Sequence, residues 1–364
     1  LLEIRKIISL YDSLDHNNEK VALASVVNVE ASSYRRIGAR MLIRSNGLWV
    51  GGISGGCLEG DALRQAQHTI FTNTPSLVVY DTREDDSNQI GVGLGCNGKI
   101  EVLLTPIDPS DPDNEIELLR SLLRAEQPNI LAKVISTDGK IAPQNILIKK
   151  DQPTPPLLNI STAELEESIQ LVKQKKSHRV FELKSDNKSH RVLLEFIRPE
   201  TRLIIIGDNY DVNAMAQVGQ TLGWEIWIIG RLSRLGKDLV NKVQRVISFE
   251  KHSSVQTHDY TAVVLMSHDY KWDQIILQHF IKESPPYLGL LGPRKRFHKM
   301  NADLVNVDLT TIEFIHSPTG LDLGAESPEE IAHSIASEIL SVFRQKNGQP
   351  LKYKEGPIHS RTYE

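Results

Sequence analysis

The sequence predicts an α/β protein of two domains, an N-terminal α/β domain and a C-terminal Rossmann-like, doubly wound parallel sheet. Three observations predict this. The chain has 364 residues, a length that makes two or three domains of ordinary size. Leu203–Ile206 is a continuous apolar run, the mark of a strand buried on both faces, and strands and helices alternate after it. Polar, proline-bearing connections at Asp108–Glu115 and Asp151–Pro156, with a composition break at Pro199, divide what comes before. The expected domains are residues 1–198 (a core at 1–107 and an extension at 108–198) and 199–346, followed by a polar tail at 347–364.

Taken in order, Leu2–Leu14 is a helix, because Ile4, Ile7, Ile8 and Tyr11 recur at helical spacing. Val21–Val29 is a strand. Asn46-Gly47 supplies the positive φ angles of a tight turn and joins Met41–Arg44 to Leu48–Val50 as a hairpin. The glycine-rich segment Gly51–Gly56 leads into a helix over Leu58–Phe71, and strands follow at Ser76–Tyr80 and Lys99–Thr105. A helix at Ile116–Leu123 and strands at Ile130–Ser136 and Asn145–Lys149 then resemble the opening loosely. A duplicated unit and two ordinary α/β segments both account for that. Lys173–Arg191 is dense in Lys, His and Arg, but interleaved Asp, Glu and Ser favour a solvated strand pair over a basic groove.

Beyond Pro199, strand Leu203–Ile206, helix Val212–Leu222, strands Glu225–Ile229, Val246–Phe249 and Thr261–Met266, and helix Trp272–Ile281 give the doubly wound order. Ser327-Pro328-Glu329-Glu330 opens the last helix with an N-cap serine, proline at its first position and glutamate three residues after the cap.

Composition narrows the function. Lys plus Arg is 42 against 46 Asp plus Glu, a net charge of −4, so no global field draws nucleic acid or an anionic membrane. No apolar run approaches the roughly 18 residues of a membrane span. The N-terminus lacks a signal-peptide pattern. The expected location is cytoplasmic, without stable membrane insertion. Two cysteines make no disulfide framework.

The turn after Ile206 reads Gly207-Asp208-Asn209-Tyr210-Asp211-Val212, where a dinucleotide fold carries Gly-x-Gly-x-x-Gly. The second and third glycines are replaced, and Asp208 and Asp211 add negative charge where a diphosphate meets the helix. Gly230-Arg231 stands where an acid would hold ribose. The turn therefore speaks against NAD(P), although Arg231 is a phosphate candidate.

Both thiols lie in glycine-rich turns. Cys57 ends Gly51-Gly52-Ile53-Ser54-Gly55-Gly56-Cys57, at a predicted helix start whose exposed N–H groups favour an anion and lower a thiol pKa. That makes Cys57 a candidate nucleophile or soft-metal ligand. Cys96 lies in Gly91-Val92-Gly93-Leu94-Gly95-Cys96-Asn97-Gly98. Small buried packing is the competing reading for each. No zinc-site spacing surrounds either thiol.

These turns carry a resemblance. Ser33-Tyr34-Arg35-Arg36-Ile37-Gly38-Ala39-Arg40-Met41, Gly52-Ile53-Ser54-Gly55-Gly56-Cys57-Leu58-Glu59 and Gly93-Leu94-Gly95-Cys96-Asn97-Gly98 are similar to successive signatures of the XdhC/CoxI family. Met266-Ser267-His268-Asp269, Tyr287–Arg296 and Gly320–Ala332 resemble its C-terminal motifs. The match runs from about residue 21 to 345 and carries little signal over 108–198. It departs at Asn97, where a Gly is usual, and at the Gly207 turn.

The resemblance implies a xanthine dehydrogenase accessory protein. Such a chaperone binds molybdenum cofactor (molybdopterin), supports its sulfuration and passes it to the apo-enzyme of a xanthine dehydrogenase-type molybdenum hydroxylase. A cysteine desulfurase is the further partner implied. On this reading Cys57, with Gly55 and Gly56, meets the molybdenum end, and Cys96 is the second thiol or a sulfur-relay partner. Arg35, Arg36 and Arg40 are either phosphate ligands or solvated hairpin cations. Arg294, Lys295, Arg296, His298 and Lys299 are either an anion site or an exposed basic face. His268-Asp269 is either an acid–base pair or a hydrogen-bonded loop. Asp322 and Glu326 fix a turn ahead of the last helix. The alternative function is a nucleotide-dependent oxidoreductase using the Rossmann-like domain. Homodimerisation is compatible with the sequence but not legible in it.

Overall fold

The computed structural model describes residues 1–31, 34–81, 98–150, 152–304 and 307–355. It divides into two compact units, Leu1–Pro199 and Glu200–Glu364.

The first unit holds two antiparallel sheets. Helix α1 (Leu2–Asp12), strands β1 (Val21–Ala31), β2 (Arg40–Arg44) and β3 (Trp49–Gly51), helix α2 (Glu59–Thr72) and strands β4 (Ser76–Asp81) and β5 (Gly98–Pro106) form one half. Helix α3 (Glu115–Leu122), β6 (Asn129–Thr137), β7 (Lys140–Ile148), α4 (Thr162–Lys175), β8 (Arg179–Ser185) and β9 (Lys188–Ile197) form the other. The sheet orders are β3-β2-β1-β5-β4 and β7-β6-β9-β8. Apart from the extra β3, each half is α-β-β-α-β-β with one strand order, and each central strand carries a bulge at the same place, between Val26 and Asn28 and between Val134 and Ser136. Duplication is therefore the better of the two readings.

Period-two alternation sorts the strand residues between faces. Ala22, Ala24 and Val26 join Ala62, Ala66 and Ile70 of α2, while Ile130, Ala132 and Val134 join Leu165, Ile169 and Val172 of α4. The opposite faces meet between the sheets, where Leu23 and Leu131 share a core with α1 and α3, and Leu103 shares one with Ile135 and Leu193.

A charged cluster lies in this interior. Arg40 on β2 pairs through Nε with Glu115 Oε1 at 2.9 Å and through Nη2 with Glu195 Oε1 at 2.7 Å. Lys133 on β6 reaches Glu115 Oε1 at 2.7 Å. All four side chains are at most 3% exposed. Burial alone would raise the Glu115 pKa, but Lys133 and Arg40 outweigh it and hold the carboxyl below its ordinary value.

In the second unit β10 (Arg202–Ile206), α5 (Asp211–Thr221), β11 (Glu225–Ile229), α6 (Lys237–Val240), β12 (Arg245–Ile247), β13 (Thr261–Leu265), α7 (Tyr270–Glu283), β14 (Tyr287–Leu290), α8 (Arg294–Asp303), β15 (Ile315–His316) and α9 (Pro328–Arg344) follow in order. The sheet is parallel throughout, with order β12-β11-β10-β13-β14-β15. That is the 3-2-1-4-5-6 order of a dinucleotide-binding fold. Leu203 and Ile205 face the core under α5 and α9, and Ile204 and Ile206 the core under α7. Gly219 lets α5 approach the sheet, since a β-carbon there would lie 2.6 Å from Ile226 Cδ1. The predicted capping box of α9 is present. No helix among the described residues is long and apolar enough to cross a membrane.

Removing one member of a buried ion pair strands its partner, at about 3–5 kcal/mol. Glu195→Ala should therefore lower the urea stability of the first unit by that order. Glu182→Ala, removing a side chain that is 64% exposed, should change it by less than about 0.5 kcal/mol.

Candidate functional site

The cysteine turn is built on β2. Gly52 N–H donates to Arg40 O at 2.9 Å. Gly51 has φ +84, and a β-carbon there would lie 2.2 Å from Arg40 O, so only glycine permits the approach. Glu59 in the first turn of α2 then folds back over the loop. Its Oε1 accepts from Ser54 N at 2.8 Å and Ile53 N at 3.2 Å, and its Oε2 accepts from the Ser54 hydroxyl. Ser54 Oγ in turn accepts from Leu58 N at 3.1 Å and Gly56 N at 3.2 Å, and lies 3.5 Å from Cys57 Sγ.

This corrects one expectation. The N–H groups of Ile53, Ser54, Gly56 and Leu58 do not await an external anion, because Glu59 and Ser54 already use them. Burial would raise the Glu59 pKa, but hydrogen bonds from the Ser54 hydroxyl and the N–H groups of Ser54 and Ile53 hold the carboxyl below its ordinary value. The turn is thus braced from within by an ionised carboxylate.

Cys57 sits on this brace as a free, half-buried thiol packed against the core of the first sheet. Gly56 beside it has φ +115, and nothing lies within 4 Å of where its β-carbon would be. The Tyr34 ring rests on Gly55, with Cγ 3.4 Å from that residue's β-carbon position, yet Tyr34 is 74% exposed. Cys96 lies outside the described residues.

The three hairpin arginines separate. Arg40 is buried and committed to Glu115 and Glu195, which removes it as a phosphate ligand. Arg35 pairs with Glu3. Arg36 is exposed, and among the described residues its guanidinium has no ion-pair partner. Gly55, Gly56 and Cys57 are therefore together, with Arg36 two residues beyond the tyrosine that covers Gly55.

In the second unit the strand ends are closed by their own side chains. Arg231 Nε and Nη2 grip Asp208 at 2.5 and 3.1 Å, and Arg231 N donates to it at 3.1 Å. Burial would raise the Asp208 pKa, but the Arg231 contacts hold it low. Gly230 is required because a β-carbon would lie 2.5 Å from Gly207 O. Asn209 Nδ2 donates to Met266 O at 2.5 Å across the switch point between β10 and β13. His268, with φ +58, meets Asp211 Oδ2 at 2.8 Å. Asp269 instead caps α7, accepting from Lys271 N and Trp272 N, so of the two readings of His268-Asp269 the geometry is that of a hydrogen-bonded loop, not of an acid–base pair. These residues do not fit a dinucleotide, and Arg231 is not free for a phosphate.

Arg296 is a strut between helices. Its Nη2 meets Asp273 Oδ2 at 2.6 Å, and Ser267 Oγ donates to Asp273 Oδ1 at 2.5 Å. Burial raises the Asp273 pKa above its ordinary value in spite of these contacts. Arg294 and Lys295 are exposed at the start of α8, which has no side-chain cap, and Lys299 lies over the Tyr270 ring at 4.7 Å. Glu326 N joins the α9 cap by donating to Glu330 Oε2 at 2.9 Å. The Lys173–Arg191 stretch is the end of α4 and the β8–β9 hairpin, with Arg191 held by Glu101 at 2.5 Å. Sequence reasoning missed Tyr34, Ser54 and Glu59 as site residues, although all three lie within motifs it quoted. Among the described residues no cluster of three or more His, Cys, Asp or Glu is arranged to hold a metal.

Comparison with known proteins agrees with both halves. Residues 14–81 match the XdhC and CoxI family, and residues 203–339 match the XdhC Rossmann domain. The chain is 28% identical to a Bacillus subtilis protein named as a probable xanthine dehydrogenase subunit, over 91% of this chain and 96% of that one. It is 24% identical to the molybdenum cofactor insertion chaperone PaoD of Escherichia coli, over 88% and 82%. A crystal structure described as a xanthine dehydrogenase from Bacillus halodurans superposes with a TM-score of 0.74 at 25% identity, covering 96% of this chain and 99% of that one.

Two outcomes follow from this geometry. Because its folded pKa is depressed, Glu59 stabilises the turn fully above the unfolded carboxylate pKa of about 4.3, and the contribution is lost as pH falls through the folded value. Glu59→Gln should raise hydrogen exchange at the Ile53 and Ser54 amides at neutral pH by about ten- to a hundredfold, the worth of hydrogen bonds to a charged group; unchanged exchange would deny the brace. In thermal-shift titrations NAD(H) and NADP(H) should leave the melting temperature where it is. A shift that grows with concentration would show that the closed strand ends open to a nucleotide.

Proposed function

The chain belongs to the XdhC/CoxI family, and from that premise we propose that it is an accessory protein for molybdenum enzymes. Specifically, it binds molybdenum cofactor, supports its sulfuration, and delivers it to a xanthine dehydrogenase-type apo-enzyme. A cysteine desulfurase supplies the sulfur in this reading.

One observation carries the proposal. A half-buried free thiol, Cys57, stands on a turn stiffened by Ser54 and Glu59, beside the side-chain-free space at Gly56. A carrier must hold its cargo firmly and release it. Cys57 offers a single soft sulfur, suited to a molybdenum–dithiolene group, and one such contact can be exchanged. The brace keeps the sulfur in place without contributing a second ligand. Arg36, whose guanidinium has no ion-pair partner among the described residues, serves the cargo's phosphate. Cys96 is assigned as the second thiol. Within the second unit Arg294 is exposed, whereas Arg296 is committed to Asp273 and His268 to Asp211.

The nucleotide-dependent oxidoreductase reading has the strand order in its favour and the residues against it. Asp208 and Arg231 are committed to each other rather than to a ligand.

Incubated anaerobically with molybdenum cofactor, the wild-type protein should carry molybdenum and pterin through gel filtration, and Cys57→Ala should lose most of both. Co-elution undiminished in Cys57→Ala would move the metal contact away from this thiol. Absence of co-elution with the wild type would reject the carrier.

A further inference from the structure

We infer that Tyr34 is the stacking platform for a flat heterocycle bound beside Cys57, an assignment that rests on the carrier reading and adds the ring-binding residue to it. Tyrosine rings are ordinarily at least half covered, because a large apolar face in water is unfavourable. Here Cγ and Cδ1 of the ring lie 3.4 and 3.5 Å from the β-carbon position of Gly55, and the side chain is 74% exposed.

The residues that follow this ring are tied down. Its neighbour Arg35 pairs with Glu3 on α1, and the same carboxylate accepts from Arg40 N at 3.1 Å. At the far end of the loop Gly38 N donates to Val26 O at 2.9 Å, and Arg40 Nη1 donates to Gly38 O at 2.8 Å. The backbone that follows the ring, from Arg35 to Arg40, is thus tied to α1 and β1. A rigid aromatic loses little conformational entropy when a ligand stacks on it.

The underlying turn is shaped for the same purpose. Gly55 lets the ring approach backbone, and a β-carbon at Gly56 would meet no non-neighbouring residue within 4 Å. A ligand stacked on Tyr34 would place a flat ring near a soft sulfur, with the Arg36 cation two residues along the chain. Those three chemistries match a pterin that carries a metal-binding dithiolene and a phosphate. A nucleobase would satisfy the ring and the cation but leave the thiol unused.

The test uses a metal-free pterin, 6-hydroxymethylpterin, titrated against the full chain with its own fluorescence as readout. Wild type should quench it. Tyr34→Ala should bind about tenfold more weakly, the usual loss of one aromatic stacking partner. Tyr34→Phe should stay within about twofold of wild type, since the face rather than the hydroxyl is used. Glu182→Ala, at an exposed side chain of β8, should leave pterin affinity unchanged. Equal affinity in Tyr34→Ala, or no pterin binding by a wild type that carries the complete cofactor, would overturn the platform and leave the carrier intact. Failure of the wild type to bind the complete cofactor while pterin binding still depends on Tyr34 would overturn the carrier reading alone.

Discussion

The first unit depends on the neutralisation of one buried cation. The Arg40 guanidinium is out of water, and an isolated charge there would be prohibitively costly. Its two carboxylates come from the second half of the duplicated unit, Glu115 at the start of α3 and Glu195 on β9. Lys133 balances the second negative charge through Glu115. The same arginine is also the foundation of the site. Its carbonyl accepts from Gly52 at the start of the cysteine turn, and its amide donates to Glu3, which holds Arg35 beside Tyr34. Core, cysteine turn and tyrosine loop therefore meet at one residue.

This explains how residues 108–198, which carry little motif signal, bear on the cysteine turn. They contribute the second sheet of the core and the counter-charges that let Arg40 be buried. The cluster of four charges is not an efficient source of stability, since apolar residues of similar volume often do as well. What it supplies is a fixed relation between the second half and the turn that presents Cys57. The second unit uses charge differently. Asp208 and Arg231 pair with each other at the strand ends, where the strand order of a dinucleotide fold is present without its Gly-x-Gly-x-x-Gly turn.

Much of the fold was legible because it follows local pattern. Strand β11 at Glu225–Ile229, the Asn46-Gly47 hairpin and the Ser327 capping box all rest on short-range chemistry. Helix α4 was missed, although Leu165, Ile169 and Val172 follow Ser161 at helical spacing; its polar residues obscured the stripe. The Arg40 assignment failed for a different reason. Its partners stand 75 and 155 positions away, and no local pattern separates an inward arginine from a solvated one. Glu59 escaped notice because a carboxylate at a helix start usually answers the dipole, whereas this one also braces the preceding loop. The His268 partner likewise comes from the far side of the switch point rather than from the next residue.

On the proposed function, Cys57 supplies a sulfur ligand to the molybdenum of the cargo. X-ray absorption at the molybdenum edge, on the cofactor-loaded protein and on loaded Cys57→Ser, tests it without reference to transfer or activity. The wild type should show one sulfur scatterer more than the variant. Superimposable spectra from the two proteins would contradict it.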